Sequence, residues 1–122
     1  MAMDRMGQLV IRLRDSSRAG KLAWTETAAE DAFRVSFARH SIQISRVDDR
    51  NSQYYAVHIL NETGRVIEEV TPHTVDEFMF DAGTIFAELY ELARMKARGI
   101  DEALADILQE LGTDGESEGR NA

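Results

Sequence analysis

Apolar side chains at every second residue mark three segments in the middle of this chain, and they constrain its fold more than any other feature. The segments are residues 33–37, 42–44 and 55–59. A period of two residues is typical of strands with one buried face. Since the links between them are short and rich in turn-forming residues, we expect sequential strands to pair in an antiparallel meander. The predicted strands are residues 32–39, 41–47, 53–60 and 65–71, with a polar loop at 48–52.

Helical periodicity replaces this alternation before the predicted sheet. Residues 5–19 are predicted to form a helix that ends at a left-handed Gly20. A short extended piece with Leu22 and Trp24 is expected after it, followed by a polar connection at residues 28–32. The apolar stripe of the first helix consists of Met6, Leu9, Val10 and Leu13.

Two further helices are predicted after the sheet, whose last strand ends at Pro72. Residues 74–77 match a capping box, although Gly83 soon interrupts the run. A long helix is expected over residues 81–98 and ends at Gly99. Asp101 is then predicted to cap a final helix. The expected core residues of these helices are Ile85, Phe86, Leu89, Leu92, Ala93, Leu104, Ile107, Leu108 and Leu111.

Together these elements predict an α+β fold. It has an N-terminal helix, a four-stranded antiparallel β-meander and two C-terminal helices packed on one sheet face. The length of 122 residues suits one domain. We predict that residues 1–112 form it and that residues 113–122, which contain no large apolar side chain, are a disordered acidic tail.

The alternation also predicts the two faces of the sheet. Tyr54, His58 and Leu60 fall on the face opposite the helices and are the candidate interface residues. The fourth strand is ambiguous, because Val66 and Ile67 lie on opposite faces unless a bulge intervenes. The residues expected to face the helices are Phe33, Val35, Phe37, Ile42, Ile44, Tyr55, Val57 and Ile59, and the second face also carries Arg34, Ser36, Gln43, Ser45 and Ala56.

Charge is distributed unevenly along a chain whose net charge is −8. Residues 1–60 hold nine Lys/Arg against seven Asp/Glu, whereas residues 61–122 hold five against fifteen. Solvated helix faces and an acidic tail explain this simply; the alternative is that the acidic half meets a basic partner or the basic half of a second copy. Nucleic-acid binding is disfavoured, because the basic residues of the first helix form no single stripe: Arg5 and Arg12 lie on one side of it, Arg14 and Arg18 on another.

Signals for catalysis or metal binding are weak. The chain has no cysteine and therefore no disulfide or thiolate site. Its three histidines have no metal-site spacing, and no phosphate-binding glycine motif or nucleophile elbow occurs. Glu68 and Glu69 point to opposite faces of a strand, and Asp48–Asp49 supplies too few oxygens for calcium. We therefore predict no catalytic residue, cofactor or metal. No signal sequence or membrane span is recognised, so the expected location is cytoplasmic.

Several segments resemble a group of small bacterial proteins that have no assigned activity. The likeness covers about residues 5–111 of this chain. It implies a bacterial origin and no particular mechanism. The matching segments are residues 20–25 (GKLAWT), Phe33, residues 41–45, residues 55–64 and residues 89–94 (LYELAR).

Two functional hypotheses follow from the sequence. The first is a non-enzymatic protein–protein interaction or homodimerisation module, since no catalytic set is recognised and one sheet face is mixed in polarity. The second is a small-ligand-binding protein or cryptic enzyme, with a pocket between Trp24, the sheet and the long helix.

Overall fold

The computed structural model describes residues 2–76 and 79–115. It has the predicted α+β order, in which one helix precedes an antiparallel sheet and further helices follow. The elements are α1 (Ala2–Arg18), β1 (Thr25–Glu26), β2 (Ala32–Ser36), β3 (Ser41–Asp49), β4 (Ser52–Leu60), β5 (Val66–Val70), α2 (Pro72–Val75), α3 (Ala82–Ala97) and α4 (Ile100–Gly115).

Within the described residues the sheet contains five strands rather than the predicted four. Its order is β1-β2-β3-β4-β5, and all neighbours are antiparallel. The additional strand, β1, pairs Thr25 with Arg34 and Glu26 with Phe33. It is only two residues long and both are exposed, so no alternation of polarity could reveal it.

The β3–β4 hairpin is longer and tighter than predicted. Residues 48–52 were expected to form a loop, but Asp48 pairs with Gln53 and Asp49 with Ser52. Only Arg50 and its neighbour at position 51 are left for the turn. Asp49 Oδ1 accepts a 2.7 Å hydrogen bond from the Arg50 backbone N–H. Polar side chains therefore mark the exposed end of a hairpin here.

Strand register places the predicted apolar residues on the face that α1 and α3 cover. Phe33 lies opposite Ile44, which lies opposite Val57, and all three are buried. Phe37 was expected on this face but is 47% exposed. β2 ends at Ser36, the residue before Phe37, and the Phe37 N–H donates to the His40 carbonyl at 2.7 Å to close the turn.

A bulge resolves the ambiguity of the last strand. The β4–β5 register shifts between Ile59 and Leu60, so that Leu60 pairs with Val66 while Ile59 pairs with Glu68. Ile67 is accommodated at this irregularity and is 52% exposed. In β5 only Val70 is buried.

The core lies between this sheet face, α1 and α3. Val10 and Leu13 of α1 are buried, while Met6 and Leu9 pack at its edge. Trp24 joins the same cluster and is 3% exposed. From α3 the buried side chains are Ala82, Phe86, Leu89, Tyr90 and Ala93.

Helix boundaries agree with the two predicted glycine caps and correct two predicted N-terminal caps, since α4 begins at Ile100 and Asp101 lies inside it. Gly20 and Gly99 have φ angles of 73° and 64°, the left-handed conformation predicted for them. The predicted capping box at 74–77 is wrong, because the short helix α2 begins earlier. Thr71 is its N-cap, and the Thr71 and Thr74 side chains bond each other's backbone N–H. Residue 77 lies outside the described residues.

The last helix corrects the prediction of two helices packed on the sheet. α3 contacts β1 to β4, whereas the main contact of α4 is with α3. Because Gly99 redirects the chain after a core that is already filled, the predicted apolar stripe of α4 stays exposed. α4 continues to Gly115, past the predicted domain end, and residues 116–122 lie outside the described residues. None of the described helices is long and apolar enough to cross a membrane.

Candidate functional site

A row of polar side chains crosses the outer sheet face, which is the face opposite α1 and α3. Each strand contributes one residue, and register makes them neighbours: Thr25, Arg34, Gln43, His58 and Glu69. Arg34 Nη2 donates to Gln43 Oε1 at 2.8 Å, and His58 Nε2 lies 3.2 Å from Glu69 Oε2. The row is therefore largely paired within itself.

Of the three predicted interface residues, His58 belongs to this row, while Leu60 and Tyr54 lie two and four positions from it along β4, and the three differ in accessibility. Leu60 is only 2% exposed, so its side chain belongs to the interior. Tyr54 and His58 are half-buried. The Nδ1 atom of His58 is buried and has no hydrogen-bond partner among the described residues. Their role in contacting a partner stays a prediction.

Tyr54 also borders a shallow cavity of about 360 Å³ at the end of the sheet, together with Thr71, Pro72 and His73. His73 is almost fully exposed, 3.8 Å from Asp76 Oδ2. This pair does not amount to a metal site, since no group of three His, Asp or Glu side chains within residues 2–76 and 79–115 is placed to hold an ion.

A polar cleft of about 430 Å³ separates α3 from one end of the sheet. Arg46 pairs with Asp31 at 3.3 Å. Arg98 Nη2 donates to the Glu30 carbonyl at 2.9 Å, and its guanidinium lies 5.3 Å from the Phe33 ring centre. The cleft is lined by Glu30, Asp31, Arg46, Tyr55, Tyr90, Glu91, Arg94 and Arg98.

Charges in this cleft are nearly balanced. Asp31 raises the pKa of Arg46, which keeps that guanidinium charged. Burial raises the pKa of Tyr90, so its phenol stays protonated at neutral pH. Arg46 Nε is nevertheless buried and without a hydrogen-bond partner among the described residues. Among the described residues the cleft therefore combines the ion pairs Arg46–Asp31 and Arg94–Glu91 with an unused donor at Arg46 Nε.

The junction around Trp24 is filled. Its indole packs in the hydrophobic core, and Nε1 donates a 2.9 Å hydrogen bond to Ser17 Oγ of α1. This is the ordinary arrangement for a buried tryptophan whose polar atom requires a partner. Trp24 itself does not line any of the cavities described here.

An apolar ridge runs along α4 and is named here the α4 stripe. It consists of Leu104, Ile107, Leu108 and Leu111, whose exposed fractions range from 48% to 66%. Their spacing places them on one side of the helix. No Lys or Arg occurs in α4, and Glu110 lies beside Ile107 at the edge of the stripe, since residues three apart are neighbours on a helix surface. The stripe is thus an exposed apolar surface with an acidic border.

A second apolar surface lies along one side of α1 and is named the α1 groove. Two adjoining depressions share Leu9: one is lined by Arg5, Met6 and Ile59, the other by Arg12, Leu22 and Phe37. No described carboxylate lies within ion-pair distance of Arg5 or Arg12. The groove is thus apolar with a basic border.

The other two arginines of α1 are already paired. Arg18 binds the Glu88 carboxylate of α3 through two nitrogens, and Arg14 Nη1 lies 3.5 Å from the same carboxylate. The hydrogen bond from Arg18 lowers the pKa of Glu88. Arg14 and Arg18 therefore tie α1 to α3, whereas Arg5 and Arg12 remain at the groove.

Comparison of the chain with protein-family models, curated proteins and solved structures finds no significant match. The resemblance to small bacterial proteins consequently stays a prediction.

Sequence reasoning found some of these features and missed others. It identified the α4 stripe and the common side of Arg5 and Arg12, because both follow from helical periodicity. It did not find the polar cleft, since Arg46 and Arg98 are brought together only by the packing of α3 on the sheet. The basic side chains near the end of α3 were the only available signal.

Proposed function

We propose that this protein is a non-enzymatic, cytoplasmic homodimerisation module that associates through the α4 stripe. The observation that carries the proposal is the exposure of Leu104, Ile107, Leu108 and Leu111 along one helix face. Contiguous apolar patches rimmed by polar residues are characteristic of interaction sites. Glu110 beside Ile107, on a helix that carries no Lys or Arg, supplies such a rim.

The energetics favour a partner for this helix. Fully burying a leucine or isoleucine side chain contributes about 1.5–3 kcal/mol. A twofold dimer buries two copies of the stripe, because an isologous interface uses the same surface of both subunits. This contribution opposes the loss of translational and rotational freedom on association.

Sedimentation velocity over a concentration series tests the proposal. We expect the wild type to dimerise and Leu108→Asp to be monomeric at concentrations where the wild type is dimeric. Ala105→Asp is the matched control, because it adds the same charge to another side of the same exposed helix. A wild type that stays monomeric at about 100 μM, or a Leu108→Asp variant that dimerises as well as Ala105→Asp, contradicts the proposal.

A second candidate function is small-anion binding in the polar cleft. The unpartnered Nε of Arg46 favours it, since a guanidinium with a free donor can bind a carboxylate or phosphate oxygen. Titration of the ¹⁵N-labelled protein with inorganic phosphate or acetate should then shift the resonances around Arg46 and Arg98. The Arg46→Gln variant should lose these shifts; identical shifts in both proteins would exclude the site.

A further inference from the structure

Two exposed apolar surfaces on this chain have borders of opposite charge. The α4 stripe has acidic neighbours, and the α1 groove has Arg5 and Arg12 without carboxylate partners among the described residues. We infer that the α4 stripe of one copy docks in the α1 groove of a second copy. The inference rests on the proposed homodimerisation and specifies both of the surfaces that meet.

The two surfaces match in length. The stripe extends from Leu104 to Leu111, and the basic border extends from Arg5 to Arg12; each covers eight residues of helix. At a rise of about 1.5 Å per residue, each is about 10 Å long. One α-helix can therefore lie along the other with its apolar side chains in contact over the whole length.

The charges beside the two surfaces are opposite in sign. Leu9 lies between Arg5 and Arg12 on one side of α1, four positions from Arg5 and three positions from Arg12. On α4, Glu110 lies beside Ile107, and Asp106 lies beside Glu110 one turn earlier and farther from the stripe. Each helix therefore presents an apolar centre with like charges on one side of it. Opposite charges at the rim of an interface favour this pairing over self-pairing of two acidic helices.

A second copy of this chain suits this groove because the exchange is reciprocal. Within one chain α4 contacts α3, and its stripe is exposed. No described carboxylate forms an ion pair with the arginines of the groove. A twofold arrangement places each α4 in the other groove, so both surfaces of both copies are covered at once. Such an interface closes on itself and does not lead to filaments.

Charge reversal in the groove tests the docking surface. Arg12→Glu changes two contacts per symmetric dimer, so we expect the dimer dissociation constant to rise by about tenfold or more. Arg50→Glu is the matched control, because it makes the same charge change in the exposed β3–β4 turn. Adding Asp106→Lys and Glu110→Lys to a chain with Arg5→Glu and Arg12→Glu should restore dimerisation to within a few fold of the wild type.

The outcomes separate this inference from the proposal on which it rests. A monomeric wild type overturns both the homodimerisation and the docking. It is also the result expected if α4 folds into the groove of its own chain. A dimer that is lost with Leu108→Asp but is unaffected by Arg5→Glu/Arg12→Glu relative to Arg50→Glu overturns only the docking in the α1 groove. Failure of the exchanged charges to restore a dimer weakened by Arg5→Glu/Arg12→Glu also overturns it, provided that circular dichroism shows the variant to be folded.

Discussion

Arg18 at the end of α1 holds the carboxylate of Glu88 in the middle of α3 through both Nε and Nη2. The contact joins residues seventy positions apart, and Arg14 approaches the same carboxylate from the preceding turn. The contact fixes the side of α1 that faces α3. Arg5 and Arg12 lie on a different side of α1, where they border the groove.

Glu88→Gln should reduce stability at neutral pH by about 1 kcal/mol or less, because the pair is partly exposed. The pKa of Glu88 is lowered from its usual 4.5 in the folded protein. Its contribution is therefore present above about pH 4.5 and is lost as the pH falls through the lowered pKa. Urea unfolding at several pH values should show wild type and Glu88→Gln converging in acid. Glu62→Gln in the β4–β5 turn is the control; an equal loss in that variant would contradict the assignment.

Ser17→Ala should destabilise the fold by about 1–3 kcal/mol, because it leaves the buried indole N–H of Trp24 without its acceptor. Ser16→Ala, one residue earlier in α1, provides the comparison and should cost clearly less. Chemical unfolding followed by Trp24 fluorescence measures both. Equal stabilities for these two variants would mean that the Trp24–Ser17 hydrogen bond does not stabilise the fold.

Two glycines should respond oppositely to alanine. Gly99→Ala introduces a side chain at φ 64°, where an L-residue is strained, and should cost about 1–2 kcal/mol. Gly83 lies in the first turn of α3 with open space around it. Gly83→Ala should therefore stabilise the protein by about 0.5–1 kcal/mol. Thermal unfolding of the two variants decides this, and a shift of both melting temperatures in the same direction would contradict it.

The outer sheet face should contribute less to self-association than α4. Leu60→Ala should reduce stability by about 2–5 kcal/mol, since the side chain is buried. Tyr54→Ala should leave the dimer dissociation constant unchanged within a few fold. If sedimentation shows instead that folded Tyr54→Ala or His58→Ala is monomeric, the predicted interface on the outer face is correct and the α4 stripe is not the main contact.

The local sequence pattern was sufficient to predict an element where its apolar residues are the ones that the fold buries. The alternation at 33–37 and 42–44 predicts the strands, and glycine chemistry predicts the helix ends at Gly20 and Gly99. It was insufficient for β1, where Thr25 and Glu26 have no buried face, and for Phe37, which a turn removes from the sheet.

Periodicity identifies an apolar helix face but not what covers it. The spacing of Leu104 and Leu108 predicts an amphipathic helix whether the stripe faces its own core or another molecule. Only the three-dimensional arrangement shows that Phe86, Leu89 and the sheet already complete the core without α4. The polar cleft could not be predicted from the sequence for a related reason, because Arg46 and Tyr90 meet only through tertiary packing.

The most direct measurement is disulfide trapping between copies, which is clean because the natural chain has no cysteine. Chains carrying Arg5→Cys or Arg12→Cys are each mixed with a differently tagged Glu110→Cys chain and oxidised gently; a disulfide requires Cα atoms about 4.4–6.8 Å apart. Docking of α4 in the α1 groove predicts that at least one of these mixtures forms the heterologous cross-link much faster than a mixture of Arg50→Cys with Glu110→Cys. Equal rates in all mixtures, or linkage mainly between two Glu110→Cys chains, would contradict it.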